Sequence, residues 1–383
     1  MGNSGEDRAK HRSCPVCACN DRKVMKTIVM KVSEDYHLPE SYDVVVCGKC
    51  GLVYADTEAS MEDYDWYYTH CNFYGDDSKD DHFQRFKVVE VFLDKYVSRE
   101  AVLLEIGAGN GRFEMELKEH GYVHITGTDP SEESVRRLRE NGIASYVANI
   151  YSEVPIEENE KYDGIFLFEV AEHLLIPGKG IENVSKMLKK DGIFMISVPD
   201  YSQIGNDPSS IPNYFNLEHI NYFSEKTLDY LLALNGLERI AQMRAGVDLT
   251  QVYRKTEKVR FPDKDTATEQ AICSYFEKQN EREMQTKELI KELKIQGEEL
   301  VIWGTGSYVM SLLATTDLLQ CKIKAFVDNN KIQQGRKIYN CTVYPPAYLK
   351  DKEYTVLICS VLNGNVIKKQ LEAMNTKNNI IIL

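Results

Sequence analysis

From residue 101 onward the chain alternates short apolar runs with stretches whose apolar positions recur every three to four residues. Val102–Ile106 is apolar apart from Glu105 and reads as a strand, with helical spacing over 111–120. A second strand runs from Tyr122 to Asp129, followed by a helix over 131–140. Residues 145–150 and 162–168 supply two more strands, then comes a helix over 179–190 and an apolar strand over 193–198 ending at Pro199-Asp200. The first four units carry no tight hairpin signal, so the predicted sheet is parallel and doubly wound, with ligands at the C-terminal ends of its strands. The same rhythm starts again at Val301-Ile302-Trp303 and continues through 323–329 and 354–359. Between the two blocks, 255–299 is charged and helical in pattern, without Pro or Gly from Glu269 until Gly297, and reads as a connector, solvated or part of a dimer surface.

Upstream, Tyr42–Val46 alternates as a strand does. Residues 61–86 are rich in rings (Tyr64, Trp66, Tyr67, Tyr68, Phe73, Tyr74, Phe83, Phe86) with His70 and His82 among them. Such a segment packs its rings on a neighbouring domain, or lines a pocket for a polar substrate. Residues 82–98 look helical and lead into the central block.

A length of 383 residues is too much for one ordinary domain. The formal net charge of -13 argues against general affinity for nucleic acid or anionic membrane. No run of eighteen apolar residues is present, and the first residues lack the apolar core of a secretory signal. The expectation is a soluble, cytoplasmic protein acting on a small molecule, as a monomer or homodimer.

Of ten cysteines, four fall in C-x-x-C pairs: Cys14 and Cys17, then Cys47 and Cys50. Each pair aims two thiolates at one point, and Gly48 and Gly51 suit the second turn. Two such knuckles about thirty residues apart make the closed Cys₄ set of a structural zinc ion, with Cys19 a nearby spare. A redox dithiol is the alternative, but that needs one C-x-x-C at a helix start.

Glu105-Ile-Gly107-Ala108-Gly109-Asn-Gly111 joins the first strand of the central block to its helix. Glycines there permit positive φ or the close approach of a ligand, and the turn's amides are expected to face whatever sits on the helix N-terminus. The spacing is G-x-G-x-G rather than the dinucleotide G-x-G-x-x-G. It resembles the first motif of class I S-adenosylmethionine (SAM) methyltransferases; a turn without a ligand is the plain alternative. In that family an acid ends the second strand and holds the ribose hydroxyls. Here Asp129 stands 22 residues after Gly107, followed by Pro130 and Ser131, and it or Ser131 can equally cap the next helix. The resemblance further implies Asn149 beside the adenine, and Phe168 and Glu169 bordering the methyl-donor pocket.

Asn216-Leu-Glu218-His219-Ile-Asn-Tyr222-Phe-Ser224 resembles the E-H-x-x-Y-x-S signature of SAM-dependent C-methyltransferases acting on nucleotide-linked deoxysugars. In that family a cysteine zinc module precedes the SAM domain and a Rossmann-like domain follows it. The resemblance therefore covers most of the chain: a Cys₄ module over 1–60, an aromatic linker and helix over 61–98, a SAM domain over 99–250, a helical connector over 251–299 and a Rossmann-like domain over 300–383. It implies His219 as base, with Glu218 orienting it or holding the sugar. His173 is a second candidate, donating to an enolate oxygen, although Glu-His-Leu also occurs in this fold for structural reasons. Phe215 stands where some members carry tyrosine, and Ser224 doubles as a helix cap. The expected reaction is C-methylation of a nucleotide-activated keto-deoxysugar through an enolate. The alternatives are O- or N-methylation of another small metabolite and, more distantly, a non-catalytic SAM-binding protein. The second Gly304-x-Gly306 turn lacks a third glycine, and its domain is read as a docking wall for the substrate, a nucleotide site or a vestigial fold.

Overall fold

The computed structural model describes residues 11–32, 36–70, 93–152, 161–205, 214–245, 248–360, 363–374 and 377–383. Phe73, Tyr74, His82, Phe83, Phe86, the side chain of His70 and most of the helix expected over 82–98 lie outside them. The chain divides into two compact units. The first comprises Met1–Val24, Val45–Ile204 and Glu218–Ile272; the second comprises Met25–Val44, Gly205–Leu217 and Cys273–Leu383.

The strands run in chain order from β1 (Arg22–Val29), β2 (Ser41–Cys47) and β3 (Val53–Asp56) to β4 (Val102–Ile106), β5 (His124–Asp129), β6 (Ala144–Val147), β7 (Tyr162–Phe168) and β8 (Leu188–Pro199). They continue with the two-residue β9 (Asn221–Tyr222), β10 (Leu237–Ala245) and β11 (Asp248–Lys255). The first unit is built on a seven-stranded sheet of order β10-β11-β8-β7-β4-β5-β6. Strands β6, β5, β4, β7 and β8 are mutually parallel, as the pattern predicts. Two differences arise at the other end. Strand β8 starts at Leu188, inside the helix expected over 179–190, because the helix α4 (Pro177–Met187) stops early. Strands β10 and β11 form an antiparallel hairpin on β8, so the sheet is mixed and the connector segment begins with strand. The buried Leu249, Gln251, Val252 and Tyr253 hold β11 in the sheet; a charged pattern over 255–299 had masked its end.

The helices follow from side-chain periodicity and caps. α1 (Met61–His70) is the aromatic helix. α2 (Arg112–Glu119) buries Phe113, Glu114 and Leu117, and α3 (Glu132–Glu140) buries Val135 and Leu138. Ser131 caps α3 by accepting from Ser134, and Ser224 opens α5 (Glu225–Ala233) with a capping box completed by Thr227. One core, including Leu104, Ile106, Ile165, Leu167, Ile196 and Val198, continues into Cys14, Val16, Cys47, Cys50 and Tyr54, so the cysteine knuckles share the apolar interior of the sheet.

The second unit carries β12 (Glu299–Trp303), β13 (Lys322–Val327), β14 (Lys337–Ile338), β15 (Cys341–Tyr344), β16 (Thr355–Ile358) and β17 (Asn379–Ile382) in the order β14-β15-β13-β12-β16-β17. All but β14 pair in parallel. Its core packs Ile290 and Leu293 of α6 (Ala267–Gln296) and Val309, Leu312 and Leu313 of α7 (Ser307–Thr315) on Leu300, Ile302 and Phe326.

Candidate active site

At the C-terminal end of β4 the chain turns with positive φ at Gly107 (81°), Gly109 (55°) and Gly111 (77°). A Cβ on Gly107 would lie 2.5 Å from Val170 Cγ2, whereas one on Gly109 meets nothing within 4 Å. The first glycine is thus required by packing as well as by its positive φ, and the second by its φ alone, with open space beside it. The amides do not face that space as expected. Gly107 and Ala108 N–H donate to the Thr128 carbonyl at 2.8 and 2.9 Å, Gly111 N–H donates to Ala108, and Gly109 N–H donates to Asp129 Oδ2 at 2.9 Å. The donors are drawn into β5 and its terminal acid, which is the opposite of a phosphate cradle.

Asp129 Oδ1 accepts from Ser131 N–H at 2.9 Å. Each carboxylate oxygen keeps acceptor capacity for a hydroxyl. Pro130 is exposed beside it. Asn149 bends its own turn: its Oδ1 accepts from Tyr151 N, Ser152 N and Ser152 Oγ at 2.9, 2.9 and 3.0 Å. Phe168 stands edge-on to Phe113 with centroids 5.1 Å apart. Glu169 adopts a φ of 55° and its Oε1 accepts from Ser197 Oγ at 3.0 Å. A non-glycine residue held there marks a turn fixed by its surroundings.

Sequence reading missed Glu114. Its side chain is fully buried under the glycine turn, next to Gly127 and Gly111, with the Glu105 carboxyl as its hydrogen-bond partner. Burial pushes its pKa up to about 7. Glu105, also buried, is driven well above the usual carboxylate range by desolvation and by Glu114 itself. Two carboxyls so close cannot both ionise. The available signal was a charged residue at an inward position of an amphipathic helix.

The second half of the site lies beyond β7. Val170, which packs on Gly107, leads into a 3₁₀ turn over Ala171–His173. His173 and His219 pack edge to face with centroids 4.8 Å apart. His173 Nδ1 lies 3.1 Å from the Glu218 carbonyl and 3.0 Å from the Tyr68 hydroxyl. A carbonyl only accepts, so the imidazole proton is assigned to Nδ1 and Tyr68 accepts there. Nε2 therefore offers a lone pair. His219 Nδ1 lies 3.3 Å from the Tyr201 hydroxyl, and Tyr67 donates to Glu218 Oε1 at 2.5 Å. Burial holds the pKa of His173 down to about 4, and burial together with His173 holds His219 well below 6.5. Glu172, wholly buried and hydrogen-bonded to the Glu169 carboxyl, is pushed well above the carboxylate range by burial and by Glu169, and its Oε1 is 3.8 Å from His173 Nε2.

The cysteine pairs converge as expected. Cys14 and Cys50 sulfurs are 3.6 Å apart, Cys17 and Cys47 3.5 Å, and all four lie within 4.8 Å of one another. Sulfurs bound at about 2.3 Å to a tetrahedral ion sit about 3.8 Å apart, so the set fits zinc. Crowding raises the pKa of Cys14 and Cys50 and lowers that of Cys47, towards which both donate. A dication removes that conflict by allowing all four to ionise. Strand β3 of this module pairs antiparallel with β9, Tyr54 facing Asn221, just past Glu218 and His219.

In the second unit, Thr305 Oγ1 donates to Asp328 Oδ2 at 2.7 Å at the Gly304-x-Gly306 turn. A cavity of about 390 Å³ in this unit is lined by Lys26, Phe215, Tyr275, Phe276, Arg282 and Tyr308, among others. Phe215, at the departure from the tyrosine-bearing pattern, packs on Tyr275 and Phe276 with centroids 5.7 and 4.7 Å away.

Residues 81–242 match the family model described as a methyltransferase domain. This central segment is therefore similar to methyltransferase domains. Residues 296–382 match a second model, described as C2185-like, N-terminal. A ribosomal protein L11 methyltransferase of Dictyoglomus turgidum is 29% identical over 107 residues, 27% of this chain and 35% of that protein. A ubiquinone biosynthesis O-methyltransferase of Glaesserella parasuis serovar 5 is 27% identical over 104 residues, 25% of this chain and 44% of that protein. The chain thus spans less than half the length of either relative. The crystal structure of the PH0226 protein from Pyrococcus horikoshii OT3 aligns with a TM-score of 0.42 at 19% identity, covering 50% of this chain and 98% of that one. Among the described residues no helix is long and apolar enough to cross a membrane.

Proposed function

We propose that the protein is a SAM-dependent methyltransferase that methylates a carbon acid, with a nucleotide-activated keto-deoxysugar as the best-supported substrate class. The observation that carries the reading is the meeting of His173, His219 and the aromatic hydroxyls next to the glycine turn. The methyltransferase-domain match and the E-H-x-x-Y-x-S residues support it.

Bound SAM supplies an electrophilic methyl on sulfur. Glu105, Gly107, Ala108, Gly109, Gly111, Asp129 and Pro130 would form its cradle, with Asn149, Phe168 and Glu169 along the border. In-line transfer to carbon requires an enolate, hence a base. With Nδ1–H given to Tyr201, His219 presents the Nε2 lone pair and takes the proton alpha to the ketone. The new carbon–methyl bond forms as the sulfur–methyl bond breaks, and the proton stays on His219 until solvent removes it. Glu218, fixed by Tyr67, holds a sugar hydroxyl. Tyr68, acting as acceptor towards His173, directs its own proton to the enolate oxygen. A structural zinc ion at Cys14, Cys17, Cys47 and Cys50 completes the reading.

The test uses SAM with a ¹³C methyl and a panel of nucleotide-linked keto-deoxysugars. A methyl bonded to carbon in the product is expected; a methyl on oxygen or nitrogen overturns the enolate route. Exchange of the alpha hydrogen with deuterated solvent in the absence of SAM is a second expected result.

A further inference from the structure

Arg12 sits two residues before Cys14, and its main chain is pinned on both sides. Its N–H donates to Asp56 Oδ1 at 2.6 Å and its carbonyl accepts from the Tyr54 hydroxyl at 3.2 Å. Its guanidinium donates to five oxygens. Nη1 reaches the carbonyls of Ala55 at 3.1 Å and Ile220 at 3.2 Å. Nη2 reaches the carbonyls of Leu174 at 3.2 Å and Leu175 at 2.7 Å, and Asn221 Oδ1 at 3.0 Å. None of these acceptors is charged. Asn221, wholly buried, passes the link on by donating to the Ala171 and Leu174 carbonyls at 3.0 and 2.7 Å.

These bonds span two pieces of chain far apart in sequence. One, Ala171–Leu175, carries His173; the other, Glu218–Asn221, carries His219. A planar fork with donors in fixed directions can satisfy carbonyls on both at once, which an ammonium cannot. The guanidinium carbon lies 5.8 Å from the ring centroid of Tyr54, which shares a core with Cys14, and four thiolates around one dication carry two net negative charges. The loaded cluster therefore supplies the counter-charge that the carbonyls lack.

We propose that Arg12 is a positioning residue that sets the relative placement of His173 and His219, and that metal at the cysteine cluster seats Arg12, so that metal occupancy is felt at the histidine pair. This rests on reading those histidines as the reacting groups.

The experiment is ring ¹⁵N–¹H spectroscopy of the full-length, zinc-loaded protein with labelled histidine, the two signals being assigned with His173→Gln and His219→Gln. Arg12→Gln is expected to move both signals while the SAM dissociation constant stays within about threefold. Adding guanidinium ion at non-denaturing concentration to Arg12→Gly restores the original signals, and stripping the metal from the native chain reproduces the Arg12→Gln pattern. Arg12→Lys keeps the charge but reaches fewer acceptors, so it moves the signals less, and it carries the test if Arg12→Gln fails to fold. Histidine signals unchanged in the folded Arg12 variants and after metal removal overturn the proposal. If the signals move but His219→Ala keeps its turnover, Arg12 remains a positioning residue and the catalytic reading fails instead.

Discussion

His173 and His219 lie edge to face with ring centroids 4.8 Å apart, and each has its Nδ1 beside a tyrosine hydroxyl. Both are half-buried, and desolvation holds both below the ordinary histidine range. At neutral pH the pair is uncharged, so under the proposed function a proton taken from carbon would enter a site that does not already hold one.

His219→Ala is expected to bind SAM normally and lose turnover by about 100-fold or more. Because the His219 pKa is lowered, the base stays competent as pH falls through the ordinary histidine range. The acidic limb of kcat/KM in the native protein should have its midpoint below pH 6.5. A near-normal rate in the variant, or a limb centred above 6.5, removes His219 as base.

Glu114 gives a stability prediction of definite sign. Its pKa rises from 4.5 unfolded to about 7 folded, so folding takes up a proton. The contribution is fully present below pH 4.5 and is lost as pH rises through 7. Glu114→Gln removes the penalty of an ionised buried acid and should stabilise the protein by about 1–3 kcal/mol at pH 8. The gain should shrink towards zero near pH 4.5. Thermal melts at the two pH values read this directly.

Gly107 and Gly109 should respond differently to a methyl group. Both require positive φ, which costs an alanine about 1–2 kcal/mol. Only at Gly107 does the new Cβ collide with Val170, and Val170 begins the turn that carries His173. Gly109→Ala should weaken SAM binding by about tenfold or more, as the methyl enters the ligand's space. Its melting temperature should fall only slightly. Gly107→Ala should lower the melting temperature more and impair turnover as well. Calorimetry and melts on the two variants separate the cases.

Metal analysis should find one zinc per chain, lost in Cys14→Ser and in Cys47→Ser. Chelation under reducing conditions should lower the melting temperature of the native chain. Cys14, Cys47 and Cys50 belong to the main core of the first unit and Cys17 packs against it, so the effect should reach the whole sheet rather than a detached finger.

The parallel strands, the glycine turn and the paired cysteines were all readable along the chain, because each is a local pattern of period, spacing or φ. The hairpin of β10 and β11 was hidden because Arg239, Arg244 and Arg254 lend charge to it, and only β11 carries a run of buried residues, from Leu249 to Tyr253, while Glu238 and Gln242 of β10 are exposed. The choice of Tyr67 and Tyr68 from eight rings depended on where α1 meets Glu218 and His173, a relationship that spans 105 and 151 residues. Local pattern cannot encode such a contact. The tautomer of His173 is likewise set by a carbonyl 45 residues away.

The inward-turned amides of the glycine loop bear on life in a crowded metabolite pool. ATP and the nicotinamide dinucleotides share an adenosine with SAM and are abundant, so a pocket that accepts adenosine must refuse their phosphates. The N–H groups of Gly107, Ala108 and Gly109 that would welcome a phosphate already serve Thr128 and Asp129. Asp129 adds an acid at the same edge. On the proposed function, the turn would screen out polyanions by withholding donors, and would admit the sulfonium-bearing molecule without having to outcompete them.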